Sequence, residues 1–90
     1  MNSAKFQIVV DPAAARDLKY LHRANRDICE RIKSSIDSLT SSPFEGKPLK
    51  GSKKGCYSLR FREYRVIYEI HSHLKTIHII RIGHRRDVYR

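Results

Sequence analysis

The apolar residues of this chain change their repeat once, near Cys56. Before that point they recur every three or four positions: Ala14, Leu18 and Leu21, then Ile28, Ile32, Ile36 and Leu39. That spacing draws one buried stripe along an α-helix. From Cys56 the pattern alternates. Tyr57, Leu59 and Phe61 stand against Ser58, Arg60 and Arg62, and Tyr64, Val66, Tyr68 and Ile70 stand against Arg65, Ile67 and Glu69. A period of two belongs to a strand with one face covered. The run TIHIIRI, residues 76–82, reads as a further strand after a turn near residues 72–75, and KFQIVV, residues 5–10, reads as a short strand before the helices.

Asp11-Pro12 starts the first helix, because Asp caps free N–H groups and Pro suits the first helical position. The pattern predicts helices over 12–22 and 25–40, the second ended by Ser41-Ser42-Pro43. Residues 43–55, with two Pro, three Gly and four Lys, read as a loop. They lack the GxxxxGK[ST] pattern of a phosphate-binding loop, since Ser52 follows Gly51. Glu63 marks a tight connection between the two alternating runs. The expected order is β-α-α-β-β-β: an α+β fold with an antiparallel-rich sheet packed on an N-terminal helical hairpin.

Ninety residues support one domain, 1–90, and exclude a Rossmann pair, a TIM barrel or a kinase. The apolar run Phe6–Val10 is too short for a leader peptide, and no stretch is long enough to span a membrane. Cys29 and Cys56 form no CxxC pair and are expected as free thiols, so the reading is cytoplasmic.

Charge points towards function. The net charge is +10. Residues 1–46 carry 7 basic and 6 acidic side chains, whereas residues 47–90 carry 12 and 3. Such asymmetry suggests a face for a polyanion. Alternation puts Ser58, Arg60, Arg62 and Arg65 on one sheet face. The tail adds His84, Arg85, Arg86 and Tyr89, and the loop adds Lys50, Lys53 and Lys54. Arginine forks bind phosphate oxygens in pairs and stabilise charge on a phosphorane. Tyr89 can stack on a base. His71, His73 and His78 are expected as scattered surface histidines, with no Asp, Glu or Cys nearby to complete a ligand set. Neither a metal nor another cofactor is expected.

The element order, PLKG (48–51), CYSLRFREYRVIYEI (56–70) and GHRRDVY (83–89) together resemble the RelE/ParE toxin superfamily, on its RelE side. The resemblance spans about residues 5–90. It implies a type II toxin that cuts mRNA in the ribosomal A site by metal-independent attack of a 2′-hydroxyl. It also implies a RelB-like antitoxin, the ribosome and mRNA as partners, and no membrane. By the resemblance, Arg65 stabilises the transition-state phosphate and Tyr89 orients the substrate. Arg60 matches the second of two strand lysines, Ser58 stands in place of the first, and Lys50 contacts RNA. The proton donor is Arg85 by position or His84 by chemistry. The alternatives are a ParE-like gyrase poison or an inactive, antitoxin-bound regulator.

Overall fold

The computed structural model describes residues 5–88. Strand β1 (Gln7–Val10) leads into α1 (Pro12–Ala24), where the Asp11 carboxylate accepts from the Ala13 N–H at 2.9 Å. Asn25 serves both helices. Its N–H donates to the Leu21 carbonyl, and its side chain accepts from Ile28 N–H at 3.2 Å to start α2 (Arg26–Ser38). The remaining elements are β2 (Lys47–Pro48), a 3-10 turn (Gly51–Lys53), β3 (Cys56–Phe61), β4 (Tyr64–His71), β5 (Thr76–His84) and α3 (Arg85–Val88). Among the described residues, no helix is long and apolar enough to cross a membrane.

The five strands lie in the order β1-β5-β4-β3-β2. β1 runs parallel to β5, with Gln7 opposite Thr76, and the other pairs are antiparallel. The α1–α2 hairpin covers one sheet face. There Ile28, Ile32, Ile36 and Leu39 meet Leu59, Val66, Tyr68, Ile77, Ile79 and Ile82 in one core. Each such side chain contributes roughly 1.5–3 kcal/mol of apolar burial. The other face carries the residues between these, and α3 packs there. Val88 is 2% exposed, and its Cγ1 sits 3.3 Å from where a Cβ on Gly83 would stand.

The expected α+β order holds, with four differences, the first being the one-turn helix α3 after β5. β2 pairs with β3 inside the segment expected to be loop, Lys47 opposite Ser58. β5 runs two residues past Ile82 to His84. The β3–β4 connection takes Arg62 as well as Glu63, and Arg62 adopts a left-handed φ of 56°.

Candidate functional site

The sheet face away from α1 and α2 holds a cleft of about 610 Å³ lined by Lys47, Leu49, Ser58, Arg60, Arg65, Arg85 and Arg86. Register explains the grouping. Lys47 pairs with Ser58 across β2–β3, Arg60 pairs with Arg65 across β3–β4, and Arg65 pairs with Gly83 across β4–β5. Side chains that are direct cross-strand partners stand about 5 Å apart at Cβ, where two like charges repel. Gly83 lets α3 lie close over β5, and this brings Arg85 and Arg86 to the rim.

Local contacts hold the arginines. Arg65 Nη1 donates to the Arg62 carbonyl at 3.0 Å and to the Tyr64 carbonyl at 3.1 Å. Nη2 and Nε remain as donors for a phosphate. The Arg85 N–H donates to the Glu63 carbonyl at 2.7 Å, and its Nε lies 3.0 Å from Glu63 Oε1. The hairpin turn thereby clamps both arginines. Among the described residues the lining holds five cationic side chains and no carboxylate, with Glu63 pairing Arg85 from outside it. Such a surface is relieved by binding an anion with several charges.

The loop before β2 is fixed from below. The buried Tyr68 hydroxyl donates to the Pro43 carbonyl and accepts from the Gly46 N–H, both at 2.9 Å. A Cβ on Gly46 would meet that hydroxyl at 2.5 Å and the Ser58 carbonyl at 3.0 Å, so glycine is required by close approach. This anchor delivers Lys47 to the cleft.

The structure brings together Ser58, Arg60, Arg65, Arg85 and Arg86 of the residues singled out in the sequence, and adds Lys47 and Leu49. Sequence reasoning missed these two because a two-residue strand, Lys47–Pro48, and the Leu49 that follows it have no readable period. Arg62 is corrected: it lies in the turn and not on the strand face, with its guanidinium carbon 5.5 Å from the Phe61 ring centroid. His84 pairs with Tyr64, so it shares the helix-side face. It lines a different hollow with Asp17, Tyr20 and Arg81. Arg85, and not His84, therefore lines the basic cleft. Lys50, Lys53 and Lys54 lie on the loop around the 3-10 turn and do not line it. Tyr89 falls outside the described residues. Arg81 is held by Asp17, with Nε at 2.8 Å from the carboxylate, which also accepts the Ile82 N–H at 2.9 Å.

Cys29 and Cys56 are free thiols, and burial foremost pushes both above the usual thiol range. The expectation that no carboxylate completes a set with the histidines is also corrected. Glu69 stands between His71 and His78, and Asp11 lies against His78.

Residues 8–89 match the family described as ParE toxin of type II toxin-antitoxin system, parDE. The chain is 35% identical over 78 residues to Toxin RelG of Mycobacterium tuberculosis, covering 86% of this chain and 87% of that protein. It is 31% identical over 86 residues to Toxin RelE of the same organism, covering 94% and 87%. Among solved structures, the toxin–antitoxin complex RelBE2 from Mycobacterium tuberculosis contains a chain that superposes with a TM-score of 0.78 at 28% identity. The match covers 89% of this chain and 98% of that one.

Proposed function

This chain belongs to the ParE toxin family of type II toxin–antitoxin systems, within the RelE/ParE superfamily, and we propose that it is a ribosome-dependent endoribonuclease of the RelE kind. The observation that carries this reading is the cleft with five cations among its described lining residues, built around the cross-strand pair Arg60–Arg65. Similarity to two toxins named RelG and RelE points the same way.

The reaction needs no metal in this reading. The 2′-oxygen of one nucleotide attacks the adjacent phosphorus, the P–O5′ bond breaks, and a 2′,3′-cyclic phosphate and a 5′-hydroxyl result. Arg65 and Arg85 stabilise the charge that gathers on the phosphorane oxygens. Arg60, Arg86 and the Ser58 hydroxyl position the phosphate, and Tyr89 orients the neighbouring base. Guanidinium groups hold their protons tightly, whereas a lysine can exchange one. Lys47, cross-strand from Ser58, supplies that group where the superfamily's first strand lysine is replaced by serine. The 2′-hydroxyl loses its proton to this side of the cleft, and O5′ gains one on the Arg85 side through water. Lys50, Lys53, Lys54 and Arg62 contact RNA further along the strand.

The partners in this reading are mRNA on the ribosome and a cognate antitoxin, like the one in the RelBE2 complex; the setting is cytoplasmic. Primer extension on a defined mRNA in a purified translation system tests it. The expected result is cutting within A-site codons only when ribosomes are present. Arg65→Ala should lower single-turnover cleavage by roughly 10²- to 10³-fold. Intact mRNA at high toxin concentration would refute the nuclease. Because the matched family is described by ParE, the same preparation is assayed for inhibition of gyrase supercoiling, which the nuclease reading expects to be unaffected.

A further inference from the structure

A second polar cluster lies on the same sheet face, beyond the cleft. Glu69 and His78 are direct partners across β4–β5, and His71 follows Glu69 by two positions, so register sets all three on one side. One donor atom from each lies within 4.8 Å of the others. His71 Nε2 is 3.3 Å from Glu69 Oε1, and His78 Nδ1 is 4.0 Å from the same oxygen. Arg65 is four residues back along β4, about 13 Å away at strand rise, so this group is separate from the basic cleft.

The surroundings orient the donors. His78 Nε2 lies 3.3 Å from Asp11 Oδ2, while Asp11 Oδ1 accepts from the Ala13 N–H as the cap of α1. Nε2 is thus on the Asp11 side of the ring and Nδ1 on the Glu69 side. The Cys56 thiol donates to the other Glu69 oxygen, Oε2, at 4.0 Å. A carboxylate behind a histidine, fixing which nitrogen is presented, is the usual outer shell of a metal-bound imidazole.

We propose that Glu69, His71 and His78 bind one divalent transition-metal ion of the zinc class, with Asp11 as the positioning residue behind His78. Two imidazoles and a carboxylate suit Zn2+ and its first-row neighbours and not Mg2+ or Ca2+. With bonds of about 2.0–2.1 Å, neighbouring donors on a zinc tetrahedron stand about 3.3 Å apart. The His71–Glu69 separation already has this length. The His78–Glu69 separation closes by roughly 0.7 Å through rotation of half-exposed side chains. Water completes the coordination. The site joins β4 to β5 and, through Asp11, to the junction of β1 and α1, so an ion there ties the start of the fold to its central strands.

The test is calorimetric titration of the untagged, chelator-treated full chain with Zn2+ alone, with Co2+ absorption as a readout of coordination and thermal unfolding as a readout of linkage. The expected result is one ion per chain, a visible Co2+ spectrum of low-coordinate type, and a Zn2+-dependent rise in Tm. Glu69→Gln and His71→Ala should each weaken binding more than about tenfold. Asp11→Asn, which keeps a good helix cap, should weaken it about tenfold or more, and His73→Ala should leave it unchanged. Circular dichroism of each variant confirms the fold. Absence of a Zn2+ heat at a hundred micromolar ion, competition by Mg2+, or equal binding by the folded Glu69→Gln and His71→Ala variants would overturn the proposal.

Discussion

Tyr68→Phe isolates one atom on which the cleft wall depends. The ring is fully buried and stacks on Tyr57 with centroids 5.6 Å apart, so the phenylalanine ring keeps the packing. Only the oxygen is lost, together with its bonds to the Pro43 carbonyl and the Gly46 N–H. Each bond is worth about 1 kcal/mol net, and Gly46 is buried, so its orphaned N–H adds part of a desolvation cost. The expected loss at pH 7 is about 2–3 kcal/mol, or roughly 10–20 °C in Tm for a domain of this size. Burial raises the Tyr68 phenol above its ordinary value, with the Gly46 N–H opposing. The unfolded chain therefore deprotonates first, near pH 10. The hydroxyl's contribution is complete below that pH and declines as pH rises past it. Urea unfolding at pH 7 and at about pH 10.5 should show the gap between wild type and variant narrowing by up to about 0.8 kcal/mol. A variant within about 0.5 kcal/mol of wild type at pH 7, or a gap that widens at high pH, would refute the anchor.

Other consequences are testable in the same preparations. Asp17→Ala removes the acceptor of both the Arg81 guanidinium and the Ile82 N–H; a loss of about 2 kcal/mol is expected, read by urea unfolding, and Asp17→Asn should lose less. Because Arg85 lines the cleft and His84 lines a different hollow, Arg85→Ala should cut cleavage at least tenfold while His84→Ala stays within about threefold, measured in single turnover. RNA or ribosome binding should fall steeply between 50 and 200 mM salt, since several phosphates are neutralised together; a flat filter-binding series would contradict the electrostatic reading.

How much of this was legible in the sequence follows from how far each signal reaches. The helices and the three long strands announce themselves because each buries a face at a fixed period. Ile28, Ile32, Ile36 and Leu39 form the expected stripe, all buried. Arg60 and Arg65 were legible as one face because a hairpin with a short turn fixes parity. Arg62 was misplaced because the turn used two residues, and alternation ceases at Phe61. His84 and Arg85 look equivalent in a basic tail. The two extra residues of β5 and the start of α3 send them to opposite sides. Lys47 depends on pairing with β3 and on the Tyr68 anchor, neither of which is a local property. The Glu69 cluster was missed because it needs the β4–β5 register, including the irregularity between Ile67 and Tyr68, to bring His78 opposite Glu69.

The parallel pairing of β1 with β5 also has a meaning in time. Gln7 meets Thr76, so the edge of the sheet made first waits for a strand made late. The β3–β4–β5 meander closes through short turns and forms locally, whereas β1 docks only after most of the chain exists. During synthesis on a ribosome, the N-terminal helices have no sheet to cover until then. The basic cleft draws on residues from Lys47 to Arg86 and is incomplete for the same interval. A nascent chain of this topology thus lacks its arginine-rich surface until Arg86 has been made, and the order of the strands acts as a delay.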